Sequence, residues 1–163
     1  MKKIKLLDDP SLRKICEPVT DEEDLSDLIR DMHQVMLDKS GIGLAANQIG
    51  ICKRVFILKE DQHYSVFINP EIVSLSEDII DFDGEGCLSI PGTSATTKRH
   101  KTLKLRWKDE QGKINEMEFT GIKSIAIQHE MDHLNGKLYI DQLGPLRRKF
   151  IIDKFNKINK RML

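Results

Sequence analysis

The sequence predicts an α+β domain, with small mixed or antiparallel sheets around a central helix that carries an HExxH sequence and with further helices at the N-terminal and C-terminal ends. Three observations lead there. Short strand-like runs cluster in the middle of the chain, stretches with helical periodicity flank them, and the strand–helix alternation of a doubly wound sheet is missing. With 163 residues and no internal repeat or linker-like stretch, a single domain spanning 1–163 is expected.

Thr20 and Glu23 form a capping-box pattern. Leu25, Leu28, Ile29, Met32, Val35 and Met36 follow at helical spacing, and Gly41 comes after as a stop, which predicts a helix over about 21–39. Residues 55–58, 65–68 and 102–107 are rich in strand formers, and turns are predicted at Asn69 with Pro70 and at Pro91 with Gly92. Residues 113–119 alternate apolar with polar side chains, and the preceding 109–112 predicts a hairpin turn. Helical period returns over 121–135, with Gly136 placed to close the helix, and Pro145 opens a last helix over about 145–163.

Composition narrows the function classes. Apolar residues make up 39% and charged residues 32%, which suits a globular chain rather than a disordered one. The 26 basic and 26 acidic side chains cancel, so no global field points to DNA or to a membrane surface. The first eight residues lack the continuous apolar run of a signal peptide, and no stretch approaches the ~20 apolar residues of a membrane span. Three cysteines, at 16, 52 and 87, do not build a disulfide framework, so a cytoplasmic protein with reduced thiols is expected.

His129, Glu130, Met131, Asp132 and His133 form the HExxH sequence. On a helix, positions i and i+4 share a face, so both imidazoles can reach one cation while Glu130 sits beside it, placed to touch water. Ile122, Ile125 and Ala126 share that face, which predicts that the histidine pair points into the core. A third ligand is needed, and the residues leave several readings open. An HExxHxxGxxH extension runs as far as Gly136 and then meets Tyr139, which excludes that protease class. A small zinc endopeptidase would take a later carboxylate, for which Asp153 is the candidate. An upstream ligand would be Cys87, set among turn-forming neighbours in 85–91, although most lone cysteines are simply buried thiols. A further alternative is a binding module that keeps a metal only for structure. Residues 41–48 also fit a GxGxxA loop, but a helix rather than a strand precedes it, which argues against a dinucleotide site. The segment instead suits backbone held close to an extended ligand, with the Gln48 amide as a donor.

Three segments, GIGLAANQ (41–48), EGCLS (85–89) and QHEMDH (128–133), resemble the three signature motifs of the peptide deformylases, in the same order. Leu12 with Arg13, and Leu134, Asn135 and Gly136, extend the match over nearly the whole chain. The resemblance implies removal of the formyl group from N-formylmethionine at the start of nascent polypeptides. It further implies one divalent metal on Cys87, His129 and His133, ferrous iron by family habit, with zinc, nickel or cobalt as substitutes. Glu130 would move the proton, while the Gln48 amide and the Leu88 backbone N–H would stabilise the carbonyl oxygen. Ile42, Gly43 and Ile125 would contact the substrate, and Glu85 and Arg99 would pair to fix the cysteine strand. Asp83 and residues 94–96 depart from the family pattern, where relatives carry apolar and basic side chains respectively.

From 143 to 163 seven basic residues stand against one acid, Asp153. Leu146, Phe150, Phe155, Ile158 and Met162 form an apolar stripe near helical spacing. A capping helix with a solvated basic face accounts for this pattern, and ribosome contact is the functional alternative.

Overall fold

Packing of a single antiparallel sheet between two helices organises the molecule. The computed structural model describes residues 2–162, and for Met162 its backbone alone; Leu163, included in the expected last helix, lies outside them. Strands β1 (Gly43–Ala45), β2 (Val55–Lys59), β3 (Tyr64–Leu75), β6 (Thr102–Lys108) and β7 (Ile114–Thr120) form a sheet in the order β1-β2-β3-β6-β7, antiparallel throughout. A second sheet pairs β4 (Ile79–Glu85) with β5 (Ala95–His100). The helices are α1 (Ser26–Asp38), α2 (Ile122–Leu134) and α3 (Pro145–Met162). The α+β expectation is met.

Alternation along β2 explains the layering, because successive side chains leave a strand on opposite faces. Val55 and Ile57 pack with Ile29, Met32, Val35 and Met36 of α1. Phe56 and Leu58 pack with Ile127, Met131 and Leu134 of α2. A third cluster seats α3, through Ile151 and Phe155, on Ile90 and residues 138–140.

Several local expectations need correction. Glu23 does accept the Thr20 N–H, at 3.0 Å, but residues 20–23 close only a turn. Helix α1 begins at Ser26, whose N–H is taken by the Asp24 carboxylate at 2.9 Å. Its end is shaped by Ser40 at φ 52, with Ser40 N–H on the Leu37 carbonyl and Gly41 N–H on that of Met36, the paired bonds of a Schellman closure. Asn69 and Pro70 do not end a strand. Asn69, at φ 48, makes a bulge inside β3, and its side-chain amide holds the Val19 backbone through two 2.8 Å bonds. The stripe on α3 is also shifted: Leu146 and Phe150 are 85% and 66% exposed, while Ile151 and Phe155 are buried. Gly136 does close α2 at φ 71, where a Cβ would sit 2.5 Å from the Arg13 carbonyl oxygen.

Candidate metal centre

Helical geometry sets His129 and His133 one turn apart on α2 with their Nε2 atoms 3.2 Å from each other. The turn after β4 brings Cys87 Sγ to 3.3 Å from His133 Nε2. All three donor atoms lie within 4.8 Å of one another. Metal–nitrogen bonds of ~2.0–2.1 Å and a metal–sulfur bond of ~2.3 Å around a tetrahedral ion place such donors roughly 3.3–3.6 Å apart. A thiolate with two imidazoles also suits a divalent transition ion by its chemistry, so these residues fit a metal.

The partners of these groups prepare them for that task. His129 Nδ1 donates to Glu85 Oε1 at 2.7 Å, which leaves Nε2 as the ring atom that faces the cluster and that would offer its lone pair to a metal on losing its proton. Burial works to raise the Glu85 carboxyl, but hydrogen bonds from His129 and Arg99 and the Arg99 charge bring it down to about 2. Burial holds His133 well below the usual imidazole value, so its ring is neutral, the form a metal requires. Glu85 and Arg99 are each 4% exposed. Arg99 Nε and Nη2 donate to Glu85 at 3.0 and 2.5 Å, and Nη1 reaches Asp132 of α2 at 2.7 Å. Thr97 Oγ1 also donates to Glu85.

Glu130 stands beside the cluster, buried, with Oε2 lacking any partner among the described residues. Burial pushes its carboxyl up to about 7, against the pull of the neighbouring His129 charge. A Cβ at Gly43 would meet Glu130 Oε1 at 2.5 Å, so only glycine leaves this space to the carboxylate. Gln48 is fixed through its Oε1, which accepts the Ala45 N–H at 3.0 Å. Its Nε2 donates to Ser89 Oγ at 3.1 Å and lies 3.5 Å from Cys87 Sγ.

The site opens into a groove of about 960 Å³ lined by Ile42, Gly43, Gln48, Leu88, Ile125, His129 and Glu130 among others. Thus the groove gathers the residues that the sequence reading assigned to substrate contact and oxygen stabilisation. The histidine pair is turned inward, with His133 1% and His129 12% exposed, and Ile125 is buried with it; only Ile122, expected on the same buried face, is 61% exposed at the groove. Asp153 is not brought to the site. It lies on α3 in an ion pair with Lys149 at 2.6 Å and takes no part in the donor cluster, which removes the support for the endopeptidase alternative. Asp83 accepts a hydrogen bond from Thr96 instead of lining the groove, where Phe82 stands.

Sequence reasoning missed Asp132, Thr97, Ser89 and Asn47, whose Nδ2 donates to the His133 carbonyl at 2.7 Å. Asp132 had a usable signal, since an acid inside HExxH lies one position from the second ligand. The others had none.

A family model described as polypeptide deformylase matches residues 1–149. The chain belongs to that family. A peptide deformylase of Cellvibrio japonicus is 42% identical over 156 residues, covering 93% of this chain and 92% of its own. The crystal structure of a peptide deformylase from Legionella pneumophila superposes with a TM-score of 0.93 at 40% identity, over 99% of this chain and 97% of the other. One from Synechococcus elongatus, in complex with actinonin, gives 0.89 at 36% identity, over 95% and 86%. Deformylases are metal-dependent, and the segments that carry the resemblance, 41–48, 85–89 and 128–133, converge here on one possible metal site.

Proposed function

We propose that this protein hydrolyses the formyl group from N-formylmethionyl peptides of nascent polypeptides and releases formate. The observation that carries this reading is the meeting of a Cys–His–His donor set with a buried carboxylate, whose Oε2 has no partner among the described residues, at the inner end of an apolar groove. A divalent ion on Cys87, His129 and His133, ferrous iron or else zinc, nickel or cobalt, supplies Lewis acidity that acidifies water and polarises a carbonyl.

The protein's own groups do the rest. Glu130, buried beside the donor cluster, takes a proton from the attacking water and delivers it to the departing amine nitrogen. The Gln48 amide and the Leu88 backbone N–H donate to the carbonyl oxygen as charge builds there. Loss of one such donor costs about 3–4 kcal/mol of transition-state stabilisation. Ile42 and Ile125 receive the methionine side chain. Strand β1 lies at the sheet edge, so the backbone around Gly43 is available to an extended peptide. Glu85 and Arg99 orient His129 and the cysteine turn.

The reading places the protein in the cytoplasm, in keeping with its three free cysteines. No helix among the described residues is long and apolar enough to cross a membrane. Ribosome contact through α3 is part of the same proposal, supported by its exposed Leu146 and Phe150 amid basic side chains. Co-sedimentation with ribosomes that falls steeply with salt is expected; its absence at every salt concentration would reject that contact.

The direct test is anaerobic purification, metal analysis, and assay of formyl-Met-Ala-Ser against its acetylated counterpart. Formate release from the first alone is expected, abolished with metal loss in Cys87→Ala and without metal loss in Glu130→Gln. Full turnover in Cys87→Ala would defeat the ligand assignment.

A further inference from the structure

The groove does not stop at the apolar slot. Its wall continues through Gly41, Ser40, Lys39 and Asp38 at the end of α1, and through Lys2 and Lys3 of the N-terminal segment. That segment is held by the Lys5 N–H on the Gln48 carbonyl at 2.7 Å, so it is anchored beside the metal centre. Lys2, Lys3 and Lys39 are all exposed, and none forms an ion pair among the described residues. The counter-charge at this end is Asp38 alone, whose Oδ1 already accepts from Gln34 at 2.8 Å. Three ammonium groups against one carboxylate give the outer groove a cationic surplus in a chain whose formal net charge is zero.

Chain direction says what would meet these charges. Gly43 touches Glu130, and Lys39 lies four residues before it. Four residues span at most ~14 Å of backbone, so Lys39 lies no further from the inner end than three or four residues of an extended peptide reach.

From this juxtaposition we propose that Lys2, Lys3 and Lys39 make the outer groove select substrates with acidic residues two to four positions after the formylated methionine. The inference rests on the deformylase reading above and adds a substrate preference to it. Exposed pairs act weakly and are screened by salt, so the combined effect is about fivefold in kcat/KM at low ionic strength, expressed in KM rather than kcat.

The test uses metal-loaded enzyme and three amidated peptides, formyl-Met-Ala-Glu-Glu, formyl-Met-Ala-Gln-Gln and formyl-Met-Ala-Lys-Lys, which remove the terminal carboxylate as a confounding anion. The expected order of kcat/KM is Glu-Glu, then Gln-Gln, then Lys-Lys, with the spread closing at high salt. In the triple variant Lys2→Glu/Lys3→Glu/Lys39→Glu the order should invert, and in the triple Lys→Gln variant it should vanish. Reading the ratio within each variant cancels any loss common to all peptides. Equal rates, a preference for Lys-Lys, or an order unchanged in the variants would overturn the proposal while leaving deformylation intact. Failure to release formate from any of the three would overturn the deformylase reading and this preference with it.

Discussion

Substituting Gly43 with alanine tests how tightly the site is built around Glu130. The new Cβ would lie 2.5 Å from Glu130 Oε1 and 2.8 Å from Leu58 Cδ2, whereas ordinary non-bonded contact needs ~3.5 Å or more. The carboxylate must therefore retreat by ~1 Å, or Leu58 and the strand must yield. A misplacement of ~1 Å in a proton-transferring group costs about 100-fold in rate, equivalent to ~2.7 kcal/mol of activation free energy. None of the three donor atoms is among the nearest neighbours of that Cβ, so metal content should remain at one ion per chain. Initial rates of formate release from formyl-Met-Ala-Ser, with metal analysis of the same sample, give both quantities. A Gly43→Ala enzyme that keeps its metal and works within threefold of the parent would refute the claim that this glycine holds the space of the carboxylate.

Arg99→Ala leaves Glu85 and Asp132 facing each other without their cation, and should destabilise the fold by about 3–5 kcal/mol in urea titrations; a loss under ~1 kcal/mol would contradict the network. Cys16 should resist native thiol titration at pH 8, because burial pushes its pKa up to about 12 and leaves a thiolate fraction on the order of one part in ten thousand; mass spectrometry after alkylation should find it unmodified. Arg13 and Asp141 meet in a two-point ion pair at 2.7 and 3.1 Å, and a double-mutant cycle should give about 1 kcal/mol at neutral pH. Burial tends to raise the Asp141 carboxyl, but Arg13 holds it below 3.8, so this coupling is present above that value and is lost as pH falls through the lowered one. Coupling that persists unchanged at pH 2 would contradict the assignment.

The parts of the fold that bury apolar side chains with a regular period were legible in advance. Strands β2, β6 and β7, the central helix with its Gly136 closure and the helix opened by Pro145 all follow from alternation, 3.6-residue spacing or turn chemistry. Strands β4 and β5 were not picked out as strand runs, since their buried side chains are Glu85, Thr97 and Arg99, and the short alternation of Ile80 and Phe82 in β4 is only half-buried. The break expected at Asn69 and Pro70 failed because a side-chain amide tied to Val19 lets the strand continue through a bulge. Within the site, the convergence of 41–48, 85–89 and 128–133 was accessible only through the family resemblance. Spacing alone left Cys87 and Asp153 as rival third ligands, and distance in the fold separates them.

The small sheet of β4 and β5 is held to helix α2 by the Arg99–Asp132 ion pair and by neutral hydrogen bonds between the His100 backbone and Gln128 and Ser124. A two-stranded hairpin is marginal by itself in water, and this one offers polar side chains inward, fastened by Arg99 to the same helix that presents the two imidazoles. Peeling the hairpin away would carry off the thiol and undo the support of His129 in one motion. An ion bound there would therefore also secure the hairpin, so backbone amides of β5 should exchange with deuterium far more slowly once the ion is in place.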